Sequence, residues 1–140
     1  VIARRIPAAL LAAALTCPLL AACGPTGYGT DCGMASESLT IDTHVMVGRA
    51  TATCSPPPET HLFTLQLVYV LGAESEIEAT RQSDALPGPT GVTLTVRHLC
   101  LPGTWILRIS AAGRSSDGTP YSFSESKTYA GVSVDECKNR

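Results

Sequence analysis

Charge is scarce in this chain. Lys, Arg, Asp and Glu supply 16 % of its 140 residues and the formal charge is only -2, where an ordinary soluble domain is about a quarter charged. The basic clusters of a nucleic-acid binder and the like-charge blocks of a disordered tail are both missing. Aromatic residues are 5 %, with one tryptophan, so a core must be largely aliphatic. No CxxC pair occurs, which argues against the common zinc modules. The HExxH, GxSxG, GxGxxG and GxxxxGKS patterns are also missing, and with them the usual signatures of zinc proteases, α/β-hydrolases and phosphate-cradling loops. No apolar run reaches the roughly 20 residues of a membrane-spanning helix.

What is present begins at the N-terminus. Arg4 and Arg5 precede an uncharged, alanine-rich run from Ile6 to Ala22 that contains Pro7 and Pro18. A short basic region followed by an apolar stretch ending in small residues is the pattern of an export signal. Residues 1–22 are therefore read as a leader and set apart from the fold. Losing Arg4 and Arg5 with it takes the formal charge from -2 to -4, which disfavours nonspecific attraction to anionic lipid.

The end of that run, Leu20-Ala21-Ala22-Cys23, resembles the lipobox of bacterial lipoproteins. The resemblance implies diacylglyceryl transfer to the Cys23 thiol, cleavage before Cys23 and often acylation of the new amine. Two or more acyl chains anchor stably where one binds only marginally. The expected location is the extracytoplasmic side of the cell membrane, with simple secretion as the alternative. The alanine-rich leader and Val1, standing where methionine is usual, fit a GC-rich, actinobacterial type of genome. Residues 23–38, rich in Gly and Ser, read as a lipid-anchored flexible tether, and residues 39–140 as the domain.

Six cysteines divide by position. Cys17 falls in the leader and Cys23 in the lipobox, leaving Cys32, Cys54, Cys100 and Cys137. An even number in an exported domain points to disulfides. Three pairings can be drawn, and order along the chain favours Cys32 with Cys54 and Cys100 with Cys137.

Period-two patterning dominates the rest. Leu39, Ile41, Thr43, Val45 and Val47 form one row, with Met46 opposite; Gly48 reads as a bulge or bend; Ala50, Ala52 and Cys54 continue the strand to Pro56-Pro57-Pro58, where proline removes the ladder donor. Phe63, Leu65, Leu67, Tyr69 and Leu71 make the strongest row. Residues 73–83 carry Glu74, Glu76 and Glu78 in alternation and fit a polar edge strand or a short helix. Val92 to Cys100, Trp105 to Ile109 and Pro120 to Val134 supply further strands, and residues 113–118 a hairpin loop. The expected fold is all-β, a small antiparallel β-sandwich of six or seven strands. Its stretch from Gly103 to Ser126 resembles the last hairpin of immunoglobulin-like and fibronectin type III-like domains, which implies an immunoglobulin-like architecture. The Cys–Trp–Cys spacing of true immunoglobulin domains is absent, since no tryptophan lies between Cys32 and Cys100.

Candidate chemistry is thin. No catalytic or metal-binding set is assigned and no cofactor is expected. His44 with Asp42 and a serine would mimic a hydrolase triad only if geometry joined them, and the glutamates would suit calcium only with further oxygen ligands. His44, His61 and Tyr121 are taken as ligand or partner contacts. Leu62, Val68 and Val70, or Leu99, Leu101 and Ile106, would form a docking patch if left uncovered. The loops 56–61, 86–91 and 113–119 are natural recognition elements. The expected function is noncatalytic binding or envelope assembly at the membrane, with an envelope protein or small ligand as partner. The alternatives are a carrier with an apolar cavity between the sheets, lined by His98, Trp105 and Tyr121, and a minor envelope enzyme or enzyme inhibitor.

Overall fold

Alternating apolar residues between proline- and glycine-marked turns give eight strands among the described residues. The computed structural model, which describes residues 27–28 and 31–139, arranges them in two antiparallel sheets. They are β1 (Gly27–Tyr28), β2 (Cys32–Asp42), β3 (Val45–Cys54), β4 (Thr60–Leu71), β5 (Glu74–Ser83), β6 (Val92–Leu99), β7 (Gly103–Arg114) and β8 (Pro120–Val132), followed by helix α1 (Val134–Asn139). The first sheet runs β1-β2-β3-β6 and the second β5-β4-β7-β8. The chain changes sheet at β3 to β4, β5 to β6 and β6 to β7, as in Greek-key immunoglobulin-like sandwiches. The fold is a small all-β sandwich. Residues 1–22 and Cys23 lie outside the described residues.

The core fills the gap between the sheets. Phe63, Leu65 and Leu67 of β4 and Trp105, Leu107 and Ile109 of β7 are fully buried, facing Met46, Ala50 and Ala52 of β3 and Val96 of β6. Apart from Met46, large side chains on one sheet thus meet smaller ones on the other. Gly48 is an extreme case: it sits in unbroken register between Leu39 and Val96, and a Cβ there would collide with the Leu107 side chain. It is a packing glycine, not the bulge expected from sequence.

The first strand needs a larger correction. Residues 39–54 are not one extended segment. Thr43 and His44 take positive φ, 42° and 67°, and form a two-residue hairpin turn of the kind that matches strand twist. Ile41 then faces Met46 across the ladder. The turn reverses the parity of everything after it: Met46 enters the core, while Val45 and Val47 join the outer face. Residues 32–38, read from sequence as tether, pair with β3 and belong to the sheet.

Residues 74–83 form a strand, settling the helix-or-strand alternative, and β8 is one continuous strand. Ser133 and Glu136 cap α1 reciprocally: the Glu136 amide donates to Ser133 Oγ at 3.2 Å and the Ser133 amide to Glu136 Oε2 at 2.8 Å, a capping box.

Two disulfides staple the sandwich at opposite poles. Cys32–Cys54 joins paired residues of β2 and β3 at the pole where β2 starts. Cys100–Cys137 joins the β6–β7 corner to α1 at the other pole. Loops of 22 and 37 residues remove unfolded-state entropy equivalent to about 3–4 kcal/mol each. Neither is the inter-sheet bridge of antibody domains.

Candidate functional site

The pole of the first disulfide collects the three loops singled out from sequence, and hydrogen bonds lace them together. Ser55 N donates to Asp31 O at 2.8 Å, Cys54 N to Gly88 O at 3.3 Å and Glu59 N to Arg114 O at 2.9 Å. Ser116 Oγ donates to Asp31 Oδ2 at 2.8 Å. Within the 115–119 loop the Thr119 amide donates to Asp117 Oδ1 at 2.9 Å, and this bond, with a second from the Thr119 side chain, holds the Asp117 carboxyl below its ordinary pKa.

Beneath these loops His61 and Tyr121 are in contact, Nδ1 to Oη 2.6 Å. They are only 4 % and 9 % exposed. Desolvation pushes the His61 pKa down and the Tyr121 pKa up, because burial penalises the charged form of each. The pair ties β4 to β8 from inside the domain. Both residues, taken from sequence as contacts, thus lie in the interior rather than on the surface.

The remaining histidines lie at the opposite pole. His44 Nδ1 donates to the Cys137 carbonyl at 2.7 Å. Asp42 is engaged instead by the Thr43 hydroxyl at 3.1 Å, so the His–Asp relay of a hydrolase is not assembled. His98 donates from Nδ1 to the Leu99 carbonyl at 3.0 Å, and its Nε2 meets Glu78 Oε2 at 3.2 Å. Its ring also packs on Trp105, with centroids 5.7 Å apart. Trp105 is fully buried, and Tyr121 belongs to the far pole, so the three do not line one cavity. Among the described residues no three His, Cys, Asp or Glu side chains converge on a metal position.

An open groove of about 530 Å³ occupies this second pole, lined by Tyr69, Leu71, Glu74, Glu76, Glu78 and Leu101, with Ser75. Its construction follows from register. Tyr69 and Leu71 continue the inward row of β4, and Leu71 is 68 % exposed, so the opposing sheet leaves this end uncovered. Glu74 and Glu76 sit across from Leu71 and Tyr69. Between Leu67 and Val68 the ladder skips Glu78 as the extra residue of a bulge, and Glu78 reaches over to His98. Tyr69 donates its hydroxyl to Pro102 O at 2.6 Å and lies against Gly103, whose φ of 143° and proximity to the ring suit glycine alone. That bond fixes the Leu101-bearing corner against β4.

Exposed apolar side chains concentrate at the same pole: Leu71, Leu99, Leu101 and Val134. Of the second candidate patch, Leu99 and Leu101 are exposed and Ile106 is half-buried. Leu62 is exposed at the other pole, whereas Val68 is fully buried on the outer face of its sheet, so they do not form one patch. Compared with known proteins, the chain matches no family and no curated sequence.

Proposed function

We propose that this protein is a noncatalytic binding module, anchored through an acylated Cys23 on the extracytoplasmic side of the cell membrane, and that the groove at the β4–β5 and β6–β7 pole is its recognition site. The observation that carries the reading is the groove itself: apolar side chains left uncovered beside carboxylates, on a domain stapled at both ends. Exposed apolar surface of this kind suits a macromolecular partner, and two disulfides suit an oxidising compartment. The partner in this reading is an envelope protein. A carrier function is less well supported, because the residues expected to line an inter-sheet cavity sit apart or in packed core.

Two measurements test it. Intact mass of the protein from a bacterial host reads anchoring: the expected product starts at Cys23 with acyl mass and is released from membranes by Cys23→Ser. A photo-crosslinking residue replacing Leu101 reads binding in intact cells, with Leu62 as the control position at the other pole. Adducts from position 101 alone support the reading. Unmodified, freely diffusing protein overturns the anchoring, and equal or absent adducts at both positions overturn the site.

A further inference from the structure

We infer that the groove takes an extended cationic segment of a partner protein, added as a new strand on the free edge of β5. The inference rests on the binding-module reading and goes beyond it by naming the partner's chemistry and its mode of attachment. Among the described residues β5 pairs only with β4, so the outer side of its Glu74–Glu76 end offers unpaired amides and carbonyls, the template for strand addition. That edge borders the groove along Glu74, Ser75, Glu76 and Glu78.

Charge selects the occupant. Glu78 is engaged by His98, but among the described residues neither Glu74 nor Glu76 has an ion-pair partner. A second copy of this chain pairing edge to edge at the Glu74–Glu76 end would set carboxylate against carboxylate, which is destabilising across strands. An uncharged strand would leave the row uncompensated. A segment with Lys or Arg at alternate positions places its cations against Glu74 and Glu76 and lays its aliphatic stems on Tyr69, Leu71 and Leu101. Toward Arg81 the edge of β5 faces β6 across a hollow lined by Arg81 and Arg97, which repels the same ligand, so the added segment lies at the Glu74–Glu76 end.

The test uses the exported, disulfide-bonded protein and a short fluorescent peptide that alternates lysine with valine. Binding is read by anisotropy and by hydrogen exchange of the β5 amides. The expected result is saturable binding that weakens with salt, slower exchange along β5 and unchanged exchange along β8. N-methylation of alternate peptide amides, which blocks the backbone ladder, should weaken binding at least about tenfold. Glu74→Gln with Glu76→Gln should weaken it by a similar factor and flatten the salt dependence. A glutamate–valine peptide that binds equally well overturns the charge argument. An N-methylated peptide that binds as tightly as its parent overturns strand addition. No lysine–valine binding overturns the inference even where position 101 still crosslinks, and in that case the binding-module reading stands without it.

Discussion

The imidazole of His44 donates to the carbonyl of Cys137 at 2.7 Å across 93 residues of sequence. The carbonyl of His44 in turn accepts from the amide of Cys100 at 2.9 Å. Both halves of the second disulfide are thus hydrogen-bonded to one hairpin turn. This accounts for a turn whose central residues are threonine and histidine. A β-branched residue at positive φ is rarely populated, and here tertiary bonds hold it in place.

Relieving that backbone cost should stabilise the protein. Asparagine accepts left-handed φ far better than threonine, so Thr43→Asn should raise stability by about 0.5–1 kcal/mol. His44→Ala should lower it by about 1–2 kcal/mol through the lost hydrogen bond and the unpaired carbonyl. Thermal melts of both variants check the opposed signs.

The two disulfides should be separable. Replacing Cys32 and Cys54 by alanine, or Cys100 and Cys137, should cost about 2–5 kcal/mol in each case. Only the second replacement should also speed hydrogen exchange in the 42–45 turn, since only that bridge holds the partners of His44. Equal exchange in both variants would contradict the coupling.

The buried His61–Tyr121 pair should limit stability at both ends of the pH scale. Burial lowers the His61 pKa from 6.5, so the unfolded chain binds the proton first. Stability should therefore fall as pH drops below about 6.5, until the folded His61 also protonates. Burial raises the Tyr121 pKa from 10.0, so the unfolded chain loses its proton first, and stability should fall again above about pH 10. His61→Gln should flatten the acid limb and Tyr121→Phe the alkaline limb in denaturant titrations across pH.

Gly48→Ala should destabilise by about 1–3 kcal/mol, since a methyl group there meets Leu107 and Val96 inside the core. Gly88→Ala makes the control: a Cβ at that position has nothing within 4 Å, and the change should stay within about 0.5 kcal/mol. Urea unfolding of the two variants provides the comparison.

How far the sequence announced this structure depends on where the determining contacts lie. Strand β4 was plain, because its alternation and the preceding prolines are local signals. The pairing of the four domain cysteines followed chain order. The Thr43-His44 turn was hidden because it lacks the Asn-Gly chemistry that marks such hairpins and is held from Cys100 and Cys137. Helix α1 carries a local signal, Ser133 followed three residues later by Glu136. The alternation of Glu74, Glu76 and Glu78 was visible, but the groove was not. It arises where Leu101, remote in sequence, is fixed beside Leu71 by the Tyr69–Pro102 hydrogen bond, and no local pattern encodes that meeting.

The position of the first strand pair has a consequence for how the proposed anchor would present the domain. Only residues 24–26 separate Cys23 from β1, so the acylated cysteine would stand within about 14 Å of Gly27. Strand β1 pairs with the start of β2, at the pole opposite the groove. Strand β4 spans the interval between the poles, and its 12 residues cover on the order of 36 Å. With so short a leash the pole of the first disulfide would be the end held near the bilayer, and the acidic groove the end that can reach farthest from it.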